Sequence, residues 1–420
     1  MKLFALTSTV LLAAALVPAR AAVIYSGLRD IGIAADISGI YLDVDTGITG
    51  NNDNSPPPGW DINPFFGGVG VANSPAFQPA RIGSGTADAI LGLAAGATVD
   101  VARLFSTGYG GSQTHLGTQF TAGQEGYLGF RFTTNAPAGP YYGWMRVVFT
   151  GNTAGAVIKD WAYENAGSAI VTGRVQQGAA SGGAQSVTLS PGSGESFSLG
   201  SVVSNTGGNI NRVLKTGAGT AALTAANTYT GGTTISGGVL NVGADAALGA
   251  AGGAVTISGG ATLQAASTVT TSARTLTLGS GGGKIDTNGN AVNLNAGSTV
   301  TGTTLTKLGA GTLTLAGTQS YATLTTSAGT TNLQSALGTG NSILNANATT
   351  NITVSQTLAA LNIGNGAVVT FGTGAASFSA SDGDGATLAA VVPEPGAVSL
   401  LVIGSLGLLW RRRGWKVDGA

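Results

Sequence analysis

The chain has 420 residues, and its 18 basic and 18 acidic side chains give a formal net charge of zero. Only 9% of the residues are charged, which argues against nucleic acid as a partner because phosphates need a basic surface. There is no cysteine, so disulfides, thiol chemistry and cysteine-bound zinc are excluded. Glycine is abundant at 70 residues, which is typical either of a flexible linker or of many short strands joined by tight turns.

Residues 1–21 have the organisation of a secretory signal peptide. A basic start at Lys2 is followed by the apolar run Leu3–Val17. Ala19 and Ala21 place small residues at the two positions that a signal peptidase reads. We therefore predict cleavage at or just after the second of these alanines and export of the remaining chain, with signal peptidase as a partner.

Residues 22–174 carry most of the aromatic side chains and are predicted to form a β-sandwich of jelly-roll type, followed by a linker at 175–186. Short runs there alternate apolar and polar residues between Gly, Asn, Pro and Ser turns. Leu128, Phe130 and Phe132 are predicted to share one face, because side chains on a strand repeat every two residues. The predicted strands are Ala22–Tyr25, Gly39–Val44, Tyr127–Thr133, Tyr142–Thr150 and Ala156–Tyr163.

Residues 187–380 contain an internal repeat. Lys215–Thr220 recurs as Lys307–Thr312 at an offset of 92 residues, and Tyr229 and Tyr321 are separated by the same offset. Units that recur in this way bury their apolar faces by stacking on one another. Between the units lie short strand patterns bounded by Gly or Asn: Ala254–Ser258, Ala261–Gln264, Thr275–Leu278 and Val292–Asn295.

These patterns predict a parallel β-helix, in which each coil adds one strand to each face. Glycine at the corners supplies left-handed conformations at low steric cost. With coils of roughly 20 residues and a spacing of ~4.8 Å, the region would form about nine or ten coils and a rod of about 45 Å. The alternative is a disordered linker, and the alternation of apolar residues in Thr312–Leu315 argues against it.

The first unit of the repeat has regularly placed Lys, Gly, Asn, Tyr, Thr and Leu residues: Lys215, Gly217, Gly219, Thr220, Asn227, Tyr229, Gly231, Gly232, Thr233, Gly238, Leu240 and Gly243. The second unit keeps Lys307–Leu315 and Tyr321 but lacks the Gly-Gly-Thr that follows the first tyrosine. The pattern resembles the autotransporter-associated β-strand repeat, although Ala221 and Ala222 stand where that family prefers Leu-Thr. The resemblance implies a passenger-like β-solenoid of surface proteins.

The C-terminal segment 392–416 has three parts in a fixed order, after a predicted linker at 381–391. Its parts are the motif Pro393, Glu394 and Pro395, the apolar run 396–410, and the cluster Arg411, Arg412 and Arg413. The prolines hold the motif out of helical conformation. The apolar run is predicted to be a short transmembrane helix, although it is shorter than the ~20 residues of a usual span. The arginines would stay on the cytoplasmic side.

This three-part tail resembles a PEP-CTERM sorting signal. The resemblance implies recognition by a membrane-embedded exosortase, processing near the Pro-Glu-Pro motif, and a final place in the cell envelope, at the cell surface or outside the cell. The segment Gly126–Gly173 is similar to an N-terminal β domain of other PEP-CTERM proteins, which adds no chemistry. The alternatives for the tail are a plain C-terminal membrane anchor and an apolar strand of the last domain.

Catalytic residues are not evident in the sequence. Between Phe197 and Ala380 the only acidic residues are Asp245 and Asp286, which we interpret as corner residues because glycosidases need a close carboxylate pair. The single histidine, His115, lies in a polar stretch without an evident partner and is predicted to be a surface residue. The sequence therefore predicts that the protein is not an enzyme.

A cluster of acidic and amide side chains is the one candidate metal site. Asp43, Asp45 and Asp53 are the proposed calcium ligands, with Asn51 and Asp61 nearby, all within nineteen residues. Carboxylate and amide oxygens at such spacing suit Ca²⁺. The alternative is a solvated loop in which Asp and Asn cap turns. No other cofactor is expected.

Together these features predict a non-enzymatic, exported structural or adhesive protein. The expected partner is extracellular polysaccharide or biofilm matrix, bound by the β-sandwich, whose exposed aromatic side chains would stack on sugar rings. The competing hypothesis is a carbohydrate-active enzyme on a β-helix or jelly-roll scaffold.

Overall fold

The computed structural model describes most of the chain between residues 22 and 391. The described segments are 22–50, 56–106, 112–133, 140–178, 184–205, 208–338, 341–372, 377–381 and 387–391. Within these segments, no helix is long and apolar enough to cross a membrane. The predicted signal-cleavage and sorting residues lie outside the described segments: Ala19, Ala21, Pro393, Glu394, Pro395, Arg411, Arg412 and Arg413.

The described elements are strands, apart from 3₁₀ turns at Phe66–Gly68 and Asp245–Leu248, so the all-β prediction is confirmed. The first part of the chain forms an antiparallel region. Its strands are β1 (Val23–Tyr25), β2 (Ile31–Ile33), β3 (Tyr41–Leu42), β4 (Thr49–Gly50), β5 (Ile62–Phe65), β6 (Gly70–Asn73), β7 (Phe77–Pro79), β8 (Gly92–Leu93), β9 (Thr98–Val99), β10 (Ser112–Gln113), β11 (Glu125–Phe132), β12 (Tyr141–Val148), β13 (Ala156–Glu164), β14 (Ile170–Val171) and β15 (Val175–Gln177).

Two antiparallel sheets face one another in this region. The long strands β11, β12 and β13 form the centre of the first sheet, with β7 and β8 beside β11 and with β1 and β2 beside β13. The second sheet has the order β10-β6-β5-β3-β4. Leu128, Phe130 and Phe132 all enter the apolar core between the sheets, as their alternation predicts. The jelly-roll connectivity stays a prediction.

A β-bulge in β13 keeps aromatic side chains directed into this core. Arg146 pairs with Asp160 and the next residue of β12 pairs with Ile158, so Lys159 is an extra residue in β13. The extra residue reverses the alternation of sides along the strand. As a result, Ile158 before the bulge and Trp161 after it pack in the same core, although three positions separate them.

The second part of the chain is a parallel β-solenoid. Its strands and those that follow it are β16 (Ala184–Leu189), β17 (Ser196–Leu199), β18 (Ile210–Lys215), β19 (Thr220–Leu223), β20 (Thr233–Ile235), β21 (Val239–Val242), β22 (Val255–Ile257), β23 (Thr262–Ala265), β24 (Val269–Thr270), β25 (Thr275–Leu278), β26 (Gly283–Asp286), β27 (Ala291–Leu294), β28 (Thr299–Leu308), β29 (Thr312–Leu315), β30 (Thr318–Thr326), β31 (Thr330–Leu333), β32 (Ile343–Ala346), β33 (Thr349–Ile352), β34 (Gln356–Leu358), β35 (Ala360–Ile363), β36 (Val369–Phe371), β37 (Ser377–Ser381) and β38 (Thr387–Val391).

The solenoid strands stack in three columns, which we call the first, second and third faces. The first face contains β16, β18, β20, β22, β25 and the N-terminal halves of β28 and β30. The second face contains β17, β19, β21, β23, β26, the C-terminal halves of β28 and β30, then β32 and β35. The third face begins at β24 and continues through β27, β29, β31, β33 and β36.

Coil length and side-chain alternation agree with the β-helix prediction. The second face has nine successive strands, and one turn of the coil takes from 17 residues (Ile343 to Ala360) to 26 residues (Ala184 to Ile210). Along most of the solenoid strands alternate residues are buried, as in Thr312–Leu315, where both leucines are fully buried. The burial of one apolar column per face gives the rod a continuous core.

The antiparallel region covers the open end of the solenoid. Val23 of β1 pairs in parallel with Leu199 of β17, and β15 pairs antiparallel with β16. Trp144, which is fully buried, lies in the same apolar core as Leu189 of the first coil. The interval 175–186, expected as a linker, thus contains β15 and the start of β16. In the same way, β38 lies in the linker expected at 381–391 and pairs with β37.

The expectation of exposed aromatic side chains in the antiparallel region is wrong for the described residues. Trp144 is 0% exposed and Trp161 is 2% exposed, and the large side chains that are exposed there are aliphatic. The physical reason is that the first sheet is covered on both sides. Aromatic side chains of one parity face the second sheet, and those of the other parity face the solenoid.

Candidate functional site

The lysine that opens the first repeat unit is a buried corner residue. Lys215 lies at the end of β18 and its side chain is fully buried. Its Nζ donates hydrogen bonds to the carbonyl oxygens of Gly217 and Gly237, the latter at 2.9 Å. Gly217 belongs to the same corner and Gly237 to the next coil. One ammonium group therefore ties two successive coils together.

The lysine of the second unit repeats this arrangement with more partners. Lys307 is fully buried, and its Nζ donates to the carbonyl oxygens of Gly309, Gly311 and Ala328, the last two at 2.8 Å. A further bond of 3.1 Å reaches the hydroxyl of Thr287 in the preceding coil. Burial lowers the pKa of Lys307 to about 8, and it does the same to the pKa of Lys215. Each ammonium group is thus held by hydrogen bonds at a corner of the solenoid.

The glycines of the repeat are required by close backbone contacts. A Cβ at Gly217 would lie 2.0 Å from the carbonyl oxygen of Pro191, and one at Gly311 would lie 1.8 Å from that of Asn290. Gly329, in the corner that follows, adopts a positive φ of 66°. The lysine and the glycines of the repeat therefore act together. The glycines allow a tight corner, and the ammonium group donates hydrogen bonds to the carbonyl oxygens that the corner turns toward it.

The two repeat units lie on different faces of the solenoid. Lys215 is on the first face, whereas Lys307, 92 residues later, is on the second face. Tyr229 and Tyr321 are both buried, and only Tyr229 has a hydroxyl partner among the described residues, Thr233 Oγ1 at 2.6 Å. The offset of 92 residues is therefore four coils and one additional face.

The comparison with known families agrees with this geometry. Residues 213–242 and 305–335 match the model of the Passenger-associated-transport-repeat. These two segments begin just before the buried lysines and include the glycine corners described above. No curated protein and no solved structure matches the chain. The repeat indicates a secreted or cell-surface β-helix protein of autotransporter type.

The candidate metal cluster is formed by Asp43, Asp45 and Asp61, each with one carboxylate oxygen within 4.8 Å of the others. Asp43 and Asp61 are buried and Asp45 is exposed. Asp61 was predicted to lie nearby but was not counted among the ligands. It joins the group because β3 pairs with β5. The other predicted ligand, Asp53, and its neighbour Asn51 lie outside the described residues.

Two of the three carboxyl groups in this cluster have raised pKa values. Burial, with repulsion from the other two acids, raises the pKa of Asp61 to about 7. A hydrogen bond with Asp43, with partial burial, raises the pKa of Asp45 to about 6. Burial opposes the change at Asp43, but the same bond keeps the pKa of Asp43 below its ordinary value. A divalent cation bound to these oxygens would relieve the repulsion, and calcium accepts such oxygen ligands.

The remaining candidate residues have structural surroundings. Asp245 forms an ion pair with buried Arg274 at 2.5 Å and accepts a bond of 2.6 Å from the hydroxyl of Ser272. Asp286 accepts a bond of 2.9 Å from the amide of Gln264 in the preceding strand of the second face. Asp245 lies at a corner, as predicted, whereas Asp286 is the last residue of β26. His115 is exposed, also as predicted.

A groove of about 500 Å³, the junction groove, lies where the antiparallel region meets the solenoid. Glu164, Arg174 and Glu195 are its charged side chains. The sequence interpretation missed this site because Arg174 and Glu195 flank an expected linker, where charged residues are usual. The chain has few charged residues, yet Arg174 precedes the strand pair β15–β16 and Glu195 follows it. This placement is the sequence signal that could have indicated the groove.

Replacement of Lys307 by methionine should destabilise the protein. Three carbonyl oxygens and one hydroxyl would lose their donor, and we expect a loss of about 2–3 kcal/mol in the free energy of unfolding. Denaturant unfolding of Lys307→Met measures this loss. Lys284→Met is the matched control, because Lys284 lies on the same face one coil earlier and is only partly buried. Equal stability of the two variants would show that the corner lysine has no such role.

Calcium should stabilise the protein at pH 7.5 and much less at pH 5.5. At the lower pH, protons occupy Asp45 and Asp61, whose pKa values are about 6 and about 7. The measurement is the melting temperature with and without calcium, and Asp61→Asn should abolish the shift. Asp36→Asn, an exposed neighbour in the same region, is the control.

The cation-free protein has a pH dependence of its own at this cluster. Because the folded pKa of Asp61 is raised above its unfolded value, the native state binds more protons between about pH 4 and 7, and stability falls as pH rises through that window. This component should be missing in Asp61→Asn. A calcium shift that is the same at both pH values, or that survives in Asp61→Asn, would remove the metal-site hypothesis.

Proposed function

We propose that the protein is a non-enzymatic rod, exported to the cell surface or secreted, that associates with neutral extracellular polysaccharide. The observation that carries this proposal is the charge distribution of the solenoid. No Asp, Glu, Lys or Arg occurs between Leu308 and Gly372. Three of the seven charged residues between Asn209 and Lys307 are fully or almost fully buried: Lys215, Arg274 and Lys307.

The outer side of the third face supports a role in binding uncharged polymers. Its aligned outward side chains run through six successive strands: Thr270, Asn293, Thr314, Asn332, Asn351 and Thr370. Asn351 Nδ2 donates to Asn332 Oδ1 at 2.9 Å, which orients both amides along the rod. The face thus offers hydroxyl and amide groups at the ~4.8 Å spacing of a β-ladder. Such groups exchange hydrogen bonds with sugar hydroxyls without a cost for charge desolvation.

A non-enzymatic role is consistent with how the acids of the solenoid are used. A glycoside hydrolase needs two carboxyl groups about 5 to 10 Å apart around one bond of its substrate. Asp245 is neutralised by Arg274, and Asp286 is bonded to Gln264. The alternative function, a carbohydrate-active enzyme, would be favoured by release of reducing ends from polysaccharide.

We also propose that the tail residues Pro393, Glu394 and Pro395, with Arg411–Arg413, act as an exosortase-dependent sorting signal. Support comes from the order of the three parts in the sequence. Mass spectrometry of the C-terminal peptides of the protein from its host should find a last peptide that ends near the Pro-Glu-Pro motif. Recovery of peptides through Lys416 in the membrane fraction would instead identify a permanent anchor.

Binding to polysaccharide should be insensitive to salt. The protein should co-sediment with an insoluble neutral glucan equally at low and high ionic strength, because neither surface supplies charge. Thr330→Glu with Thr349→Glu on the third face should reduce the bound fraction. Thr299→Glu with Thr318→Glu on the first face is the matched control. Absence of binding to every neutral polymer tested, or binding that is lost in salt, would contradict the proposal.

A further inference from the structure

The junction groove has a built polar floor. Its floor is the outer side of β17, β19 and β21, because Leu199, Leu223 and Val242 of these strands face the core. Ser198, Ala222 and Asn241 stand in one row across the three strands. Small side chains leave the floor open, and its volume of about 500 Å³ is within the range of small-ligand sites.

The floor offers hydrogen-bonding groups that the protein itself does not use. The hydroxyls of Ser196, Ser198 and Thr220 have no hydrogen-bond partner within the described segments. Asn241 donates its amide to Gln264 Oε1 at 2.8 Å, which orients the side chain and leaves its own carbonyl oxygen as an acceptor. The groups therefore form a row of donors and acceptors at ladder spacing.

The walls of the groove hold charged groups in fixed positions. Arg174 Nη2 bonds Glu195 Oε1 at 2.7 Å, and the other oxygen of Glu195 accepts the backbone N–H of Gly192 at 2.6 Å. Although burial opposes it, Arg174 keeps the pKa of Glu195 below its ordinary value, so the pair is ionised at neutral pH. Glu164, which also lines the groove, accepts the backbone N–H groups of Ala166 and Ser168. These contacts fix the walls before a ligand arrives.

Charge and shape together select one class of ligand. Arg174 and Glu195 neutralise one another, and Glu164 leaves a net negative charge, so anionic ligands such as uronates or phosphates are disfavoured. Carboxylates, a guanidinium and an amide around hydroxyls suit a ligand rich in hydroxyl groups. Phe197, which is only partly buried, provides an apolar border against which the C–H face of a ring can pack.

We infer that the junction groove is a binding site for a short neutral saccharide, such as one end or one exposed segment of a polysaccharide chain. This inference rests on the proposed association with neutral polysaccharide and gives it a second, localised site. The third face supplies many weak contacts along the rod. The groove supplies a position where a few sugar residues are recognised.

The test is calorimetric titration of the full chain with neutral tetrasaccharides of glucose and mannose, and with tetragalacturonate as the anionic probe. Ser198→Trp, which fills the groove from its floor, and Asn241→Ala should each weaken binding of the neutral probe at least tenfold. Asn362→Ala, at the far end of the second face, is the matched control and should bind normally, because Asn362 is an exposed amide that donates to Asn345 Oδ1 at 2.8 Å and lies outside the groove. Because Ser198 and Asn241 point outward, an unchanged melting temperature checks that both variants fold.

Each outcome has a distinct meaning. Unchanged affinity in both groove variants would place the site elsewhere and overturn the inference. Preference for tetragalacturonate would overturn the ligand class. Co-sedimentation with insoluble glucan but no binding of any tetrasaccharide would overturn the groove and leave the proposed function standing. Failure of both assays would remove both.

Discussion

The structure depends on how the first coil of a parallel β-stack is closed. The end of such a stack exposes backbone N–H and C=O groups and an apolar core, which invites association with other chains. Terminal units of repeat proteins must cover this end. Here the antiparallel region does so by extending the ladder with β1 and by placing Trp144 over the core of the first coil. The two parts of the chain therefore share one apolar core and are expected to depend on each other for stability.

A buried polar network fixes the orientation of the two parts. Arg146 Nε bonds Asp160 Oδ1 at 3.0 Å, and the hydroxyl of Tyr25 bonds the other oxygen of Asp160 at 2.7 Å. The same tyrosine oxygen accepts the backbone N–H of Gln177 at 2.6 Å, in the strand that leads into the solenoid. Apolar burial alone is tolerant of small rotations, whereas these bonds are directional. The network thus helps to set the angle at which the first sheet meets the first coil.

Much of the fold was predictable because its signals are local. Alternation gave Thr275–Leu278 and Thr312–Leu315 with the bounds that the structure shows, and Val292–Asn295 to within one residue, although β26 and β28 between them were not predicted. Glycine at the corners was also predicted from the sequence. What the sequence did not reveal depends on contacts between distant residues. The pairing of Val23 with Leu199 and the arrival of Asp61 beside Asp43 follow from sheet register, which no short pattern encodes. The burial of Trp144 and Trp161 was misjudged for the same reason. Side chains alternate between the two sides of a sheet whether one side or both sides are covered, so alternation alone does not show that both sides are buried.

The displacement of the second repeat unit by one face has a consequence for how such chains change in length. The lysine and glycines of the repeat form the same corner on either face, so they do not specify a particular face of the rod. A duplicated or deleted segment therefore need not contain a whole number of turns for the interior to stay aligned. From β24 onward, where the rod has three faces, one strand with its corner makes a third of a turn. A segment of that size, if added there, would rotate the surface offered by everything downstream.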